Sequence, residues 1–496
     1  MVNPVLLIVT PLGLAFIIPL LASVWTRSAK YIPVVGMLFN LIVSLLLLRH
    51  ALDKPVVVTI GGFPPPFCIN LVAGPLGLML SLLIALVGFA VSIYALGYIR
   101  KGATARYHAL YLLLLAGATG AVLTGDLFNL FVFYEILCIS SYALVAYLGD
   151  RDGIEAAVKY LIQGSVGSGL VLIGIAILYG LFGTLNMADI AQHISSVEPL
   201  HLFVPLVFLI TGFGVEAAVF PLNAWLPDAH ASAPSSISAI LSGIAIKVGV
   251  YAVARVVFTL FDASGLFLFL VLLGLLTLLV AEMSAFSQSN IKRMLAYSSI
   301  GQIGLIVFAF GLASPSGISG GLFQLTSHAL AKALLFLAAG YMIYRAGSME
   351  ISALEGMGKK MPITCFAFTI GVFSLVGMPP FIGFPSKLLI IKAALAQQSV
   401  WFTVLIALAL AGTVIETVYF FRVVQALYFK EPTVNGQTQQ PTGSVHEAPF
   451  SAMAPIYGLL ILILLLGIYP NLLTGALDSA ATELLERAAY ITGVLG

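Results

Sequence analysis

Three lysines, Lys247, Lys332 and Lys387, stand inside long apolar runs: AILSGIAIKVGVYAVA, TSHALAKALLFLAAG and PPFIGFPSKLLIIKAAL. Four acids, Glu135, Glu216, Glu282 and Glu416, share that predicament. A charge at the centre of a membrane helix costs about 2.5–3.5 kcal/mol even on lenient insertion scales, so seven of them facing lipid would cost on the order of 20 kcal/mol. They must face one another, or water, inside a helical bundle. A buried row of titratable groups across a membrane points to ion movement.

Each group brings its own chemistry. Glu135, in GDLFNLFVFYEILCISSYALVAY, is either a structural hydrogen-bonding acid or one whose proton affinity follows the charge of a neighbour. A lysine kept from water, such as Lys247, can load and release a proton near neutrality; alternatively it forms a permanent ion pair between helices. Arg255, two turns on, stays charged and is close enough to its helix end to reach water, which makes it a fixed counter-charge. His328 and Lys332, four residues apart, share one helix face and can pass a proton between them, unless His328 is simply a satisfied core histidine. Lys387 follows Pro385, where a broken helix would admit water or free carbonyls. Lys392, Glu282 and Glu416 read as interface or pairing residues.

The elements that hold these groups are membrane helices. Of 496 residues, 60% are hydrophobic and 8% charged, against roughly 25% charged in a soluble domain. Apolar stretches of bilayer length mark about fourteen spans of an all-α polytopic membrane protein. The first 25 residues read as the first of these, and the tail from 476 as a short interfacial helix or a frayed end. The connections DKPVVVTIGGFPPPF, NMADIAQHISSVEP and KEPTVNGQTQQPTGSVHEAP are polar or Pro/Gly-rich, the last of them loose. Odd-numbered connections and the helix ends beside them hold 14 of the 22 Lys and Arg residues, from Arg27, Lys30, Arg100 and Lys101 to Lys292, Arg293 and Lys430. By the positive-inside rule they are cytoplasmic, which puts both termini on the outer side of the cell membrane.

Two spans are broken by clustered proline. The seventh contains FPLNAWLPDAHASAP and the twelfth VGMPPFIGFPSK, so each should open locally. They lie five spans apart, and paired interruptions of this kind point to two inverted five-helix repeats around an ion path; two unrelated kinks are the alternative. The expected organisation is residues 1–107 for spans 1–3, 108–260 for the first repeat, 261–430 for the second, and 431–496 for a loop, span 14 and the tail. Cys68, Cys138 and Cys365 have no metal-ligand spacing and read as small apolar packers. No cofactor is expected: nothing suggests an iron–sulfur cluster, haem or zinc.

These segments resemble a known family. TGDLFNLFVFYE, FPLNAWLPDAHASAP, KVGVYAVAR, NIKRMLAYSSIGQIG, SHALAKALLFLAAG and GMPPFIGFPSKLLI are similar to signatures of the antiporter-type subunits shared by Mrp cation/proton antiporters, respiratory complex I and membrane-bound hydrogenases. The first segment most resembles the D subunit of the Mrp antiporter. The resemblance implies a hydrated charged axis along the membrane midplane. On it, Glu135 matches the fifth-helix glutamate, Lys247 the eighth-helix bridging lysine, His328 and Lys332 the eleventh-helix relay, and Lys387 the terminal lysine of the twelfth. One position departs: where the family has a seventh-helix lysine, GFGVEAAVFPLNAW places Glu216. Two acids in one site predict a shared proton or a bound cation.

The resemblance thus implies an ion-translocating subunit, moving H⁺ or exchanging Na⁺ for H⁺, in a multi-subunit antiporter or an Mrp-related respiratory complex. It implies no redox or hydrolytic site of the chain's own; the partners are other membrane subunits, H⁺, Na⁺ and the bilayer, and not nucleic acid. The alternatives are a stand-alone secondary solute transporter, and a structural subunit whose ion path has decayed, which Glu216 motivates.

Overall fold

The computed structural model describes residues 2–24, 29–52, 54–99, 103–430 and 447–496, together with the backbone of 433–434 and 437–438. Arg27, Arg100 and Lys101, and most of the connection 430–449 read as loose, lie outside the described residues. Among those described, thirteen helices are long and apolar enough to cross a bilayer, from Leu6–Val24 to Phe450–Ile468.

The expected twelfth span is two pieces, Pro362–Val376 and Gly383–Leu395, of 15 and 13 residues. Neither alone reaches across about 30 Å of hydrocarbon. Together they run antiparallel to the eleventh span, Pro315–Ala346. Cys365 meets Met342 (Sγ–Sδ 3.6 Å), Gly371 lies against Leu335, Ser386 donates to Gln324 (2.6 Å), and Gly320 lies against Ile390. They form one broken span, the fourteenth crossing. A short helical stretch, Ile351–Lys360, turns through 119° into its first half.

The seventh span is built the same way. Pro199–Glu216 stops and helix resumes at Trp225–Ser232, antiparallel to the sixth span, Arg151–Phe182. Gly174 lies against Leu209, Gln163 donates to the Leu222 carbonyl (2.8 Å), and Ser232 donates to the Asp152 carbonyl (3.3 Å). Pro227 and Pro385 each fall in the first turn of the resumed helix, where a missing N–H costs nothing. The indole N–H of Trp225 donates to the Val215 carbonyl (2.9 Å), which also accepts the Ala218 N–H (3.0 Å) where the first half ends.

Other landmarks recur between the two halves of the chain. The sixth and eleventh spans are both 32 residues long, start on a capping side chain (Asp150, Ser314) and end on a left-handed glycine (Gly183, Gly347). Asp126, ahead of the fifth span Leu127–Leu148, bridges Asn186. Asn290, ahead of the tenth span Ile291–Gly311, bridges Glu350 at the same offset along the chain.

One connection gains structure that its composition did not announce, and the reading of the tail needs correcting. The connection DKPVVVTIGGFPPPF is not irregular: Val56–Ile60 pairs antiparallel with Ile69–Ala73, the second strand continuing past the prolines towards the third span, Pro75–Tyr98. The tail is neither frayed nor a single interfacial helix. It forms Asn471–Leu485 and Arg487–Leu495, the first burying Leu477, Ala480, Ala481 and Leu484 along one face.

Candidate functional site

The eighth span, Ser235–Leu260, is the best-covered element near the centre of the bundle, and it is not uniformly α-helical. It widens to π-helical winding at Leu241–Ala245 and again at Arg255–Leu260. Such insertions loosen the carbonyl ladder and recur at functional sites. Here the first one matters: Lys247, 2% exposed, turns its ammonium back onto the carbonyl of Ser242. The Ser242 hydroxyl in turn meets the Ser299 hydroxyl of the tenth span at 2.7 Å.

From there a polar line continues without interruption. The Leu295 carbonyl accepts from Ser299 (2.9 Å) and from the ammonium of Lys332 (2.9 Å). Lys332 also donates to the Ser298 hydroxyl (2.7 Å), which donates to Glu416 Oε1 (3.4 Å). Glu416 Oε2 lies 3.1 Å from the Lys387 ammonium, and Gln302 supports Oε1 at 2.8 Å. Lys387 reaches on to the carbonyl of Val376 (3.2 Å), the last helical residue before the break in the twelfth span. Lys247, Lys332 and Lys387 are thus brought together by Ser242, Ser299, Ser298 and Glu416. Sequence reasoning placed the lysines and missed the connectors. Glu416, from the thirteenth span Val400–Phe429, does pair with a base, as one reading allowed.

The other half of the expected axis is less continuous. Glu216, fully buried, accepts from the Tyr160 hydroxyl at both oxygens (2.8 and 2.9 Å) and from the Cys138 thiol (3.5 Å). Cys138 is therefore more than a packer. Glu135, only half-buried, takes the Ser168 hydroxyl instead. Each acid thus has its own hydroxyl partner, and among the described residues no hydrogen bond joins the two carboxylates. Nor does any group of three or more His, Cys, Asp or Glu among them form a metal-holding set. Gly249 lets the eighth span press onto the Glu216–Ala217 backbone. That brings the Glu216 pocket against the Lys247 helix, with no hydrogen bond between Glu216 and Lys247 among the described residues.

Two imidazoles occupy the middle. His328 is fully buried, and neither ring nitrogen has a hydrogen-bond partner among the described residues. The proposed direct hand-over to Lys332 is accordingly not a hydrogen bond here, although Lys247, Lys332 and His230 all lie within its electrostatic reach. His230, which the sequence reading passed over, is likewise buried and unpartnered, its ring stacked on Phe336 at 4.7 Å. Its signal was present as a histidine beside the seventh-span break. Nearby, Asp228 pairs with Lys159 (3.1 Å) and with Arg293. Lys292, counted above as a loop cation, is buried and donates to the carbonyls of Ala231 (3.4 Å) and Ala233.

Two residues differ from expectation. Arg255 does not reach for water: it is 3% exposed, ion-paired to Glu483 of the tail, bonded to the Tyr251 hydroxyl (3.0 Å) and 5.0 Å from the Tyr490 ring centre. The tail helix covers a helix end that the sequence leaves open. Glu282 meets the Tyr419 hydroxyl (2.7 Å) rather than a base. Lys392 is exposed, away from the line, as read. Two cavities frame the site. One of about 280 Å³ beside the seventh-span break is lined by Phe220, Leu222, Val253 and other side chains, none of them titratable. A second, of about 270 Å³, opens among Tyr98, Tyr147, Tyr341 and Tyr344 at the start of the eighth span, where Tyr98 and Tyr107 bond Ser235 (3.3 Å) and Ser236 (2.8 Å).

Comparison with known proteins places this arrangement among relatives. Residues 124–414 match the family model described as NADH:quinone oxidoreductase/Mrp antiporter, TM. The chain is 35% identical to the N subunit of NADH-quinone oxidoreductase from Desulforudis audaxviator, over 94% of this chain and 95% of that protein. It is 31% identical to the D subunit of the Na⁺/H⁺ antiporter from Bacillus subtilis, over 92% of each. Among solved structures, a chain of the membrane-bound sulfane sulfur reductase, an archaeal respiratory membrane complex, superposes with a TM-score of 0.92 at 37% identity, covering 99% of both.

Proposed function

Because the chain belongs to the NADH:quinone oxidoreductase/Mrp antiporter transmembrane family, we propose that it is the ion-translocating subunit of a multi-subunit membrane complex, carrying protons or exchanging them for sodium. Relatives named as an antiporter subunit and as a respiratory-complex subunit support a part within a larger assembly. The observation that carries the reading is the polar line Lys247–Ser242–Ser299–Leu295–Lys332–Ser298–Glu416–Lys387, hydrogen-bonded or ion-paired at each step except within Ser242, whose carbonyl faces Lys247 and whose hydroxyl faces Ser299.

In this scheme protons load from the cytoplasmic side, by way of the tyrosine-lined cavity and the Ser235–Ser236 hydroxyls, towards His230, His328 and Lys247. Both chain termini then lie outside. Lys332 and Lys387 carry the charge laterally, and the broken twelfth span releases it through the carbonyl end at Val376. Residues 108–260 and 261–430 act as the two inverted units. Glu135 and Glu216 form the first station, whose charge state biases Lys247 through the packed Gly249 contact.

Ser298 tests the line with little disturbance of the charges. Ser298→Ala removes one hydroxyl link, worth about 1–1.5 kcal/mol, and is expected to slow proton movement in everted vesicles by about tenfold with the complex fully assembled. A wild-type rate in that variant would take away the observation on which the reading rests.

A further inference from the structure

The apolar cavity beside the seventh-span break has no part in the scheme above. Its walls come from four spans: Pro221 from the seventh, Val253 from the eighth Ser235–Leu260, Leu273 from the ninth Ser264–Phe286, and Phe310 from the tenth. It therefore lies in the seam where spans 7 and 8 meet spans 9 and 10. Pro221 and Phe269 mark its mouth, both exposed, while Leu270 and Phe310 behind them are buried. From Phe269 the exposed stripe continues through Leu272 and Leu276 along one face of the ninth span. The cavity is an inlet of the surface that meets the hydrocarbon of the bilayer.

Its chemistry selects the occupant. Among the described residues lining its roughly 280 Å³, Thr211 alone has a polar side chain. A buried water needs two to four polar partners, and a lipid phosphate would find no cation there. An α-helix, about 10 Å across, is too wide for it. A void of this size forfeits dispersion contacts over its whole lining, and an apolar cavity of about 150 Å³ already takes up benzene. A flexible hydrocarbon chain fits.

The other proline break shows what the space lacks. Five spans further along the chain, the fourteenth span covers the turn in span 12. Gly467 packs so closely there that a Cβ would lie 2.1 Å from the Pro380 carbonyl, and the Ile463 carbonyl accepts the Ile382 N–H (3.2 Å). At the span-7 turn the ninth span makes one such link, from the Phe220 N–H to the Thr277 hydroxyl (3.2 Å), and the cavity occupies the rest. Unwound backbone at membrane depth needs cover.

We infer that this cavity is a binding site for one acyl chain of a membrane lipid, which enters past Pro221 and Phe269 and covers the span-7 turn. The chain does there what the fourteenth span does at the other break. It also stands between spans 7–8 and spans 9–10, so its presence sets how closely the two pairs approach.

The test reads binding and does not depend on the function proposed above. Vesicles holding the assembled complex receive phosphatidylglycerol with a photoreactive diazirine at the end of one acyl chain; cross-links are mapped by mass spectrometry after irradiation. In the wild type, label is expected to concentrate on the segments 210–222 and 269–273, above the level on the lipid-facing stripe Leu161, Ile162 and Val166 of span 6. Val253→Phe and Leu273→Phe fill the cavity from opposite walls, and each is expected to bring that label down to the span-6 level. Cavity label no higher than span 6 in the wild type overturns the inference, and that comparison stands even if neither variant assembles. Label that persists in both filled variants overturns it too. So does stronger cavity labelling by the same lipid with its diazirine on the headgroup. An isoprenoid quinone that co-purifies with wild type and is lost from the filled variants would replace the lipid chain as occupant and likewise overturn it.

Discussion

Lys387→Ala is expected to abolish ion translocation while the complex still assembles. The lysine sits five residues into the resumed half of the twelfth span, and its ammonium ties Glu416 to the Val376 carbonyl across the break. A second route from Glu416, through Gln302, Gln324 and Ser386, reaches the Gly383 carbonyl on the far side of the break, but its amides and hydroxyl hold no charge as the lysine does. Removing one partner of a buried ion pair costs about 3–5 kcal/mol when the other must stay charged. Glu416 has an escape: with Gln302 and Ser298 still bonded to it, its carboxyl can take up a proton and stay buried as a neutral acid. The fold therefore survives and the path does not. Lys387→Arg separates charge from exchange, because a guanidinium keeps the pair but never gives up its proton; it too is expected to block translocation. Dye quenching in everted vesicles reads the first effect and co-purification of the partner subunits the second. Ordinary proton uptake by either variant refutes the role given to Lys387.

What the sequence made legible follows from what is expensive in a bilayer. A lysine in an apolar run must be buried among partners, so Lys247, Lys332 and Lys387 announced themselves. The breaks were equally plain, because proline removes a donor wherever it falls. The connectors were not. Ser298 and Ser299 look like any hydroxyl in a membrane helix, where serine commonly bonds its own preceding turn, as Ser299 does to Leu295. Their second partners come from other helices, and no local spacing encodes a contact between Ser298 and Lys332 or between Lys387 and Glu416.

Arg255 shows the same limit from the other side. Its distance from the helix end suggested water, and the structure supplies Glu483 from the far end of the chain instead. Where local signals were present, weight went elsewhere. The β-branched runs VVVTI and INLVA on either side of a Gly-Gly and a proline cluster carry a hairpin pattern. The Leu477, Ala480, Ala481 and Leu484 spacing marks a helix face that needs cover.

Glu216 is where the chain departs most from its resemblance, and the pocket around it says what kind of departure this is. Every side-chain group bonded to the carboxylate is a donor: the Tyr160 hydroxyl at both oxygens and the Cys138 thiol at one. The Tyr160 ring is itself fixed by stacking on Trp225 at 3.7 Å. A pocket of positioned donors is built for an acid and not left over from a lysine, which argues against a decayed path. Glu216→Lys inverts that chemistry, since an ammonium brings three donors and no acceptor to face groups already donating. It leaves Tyr160 and Cys138 to turn round and accept, at about 1–3 kcal/mol of stability. A lysine keeps its proton to higher pH than a carboxyl does, by about six units in water. Even a small part of that difference should move the pH optimum of translocation upward by about one unit or more, and sodium dependence should change with it. Glu216→Gln, neutral at every pH, is the control, expected to flatten the pH response. Sodium and pH profiles of Glu216→Lys that overlay the wild type would show that the acid plays no part in loading the path.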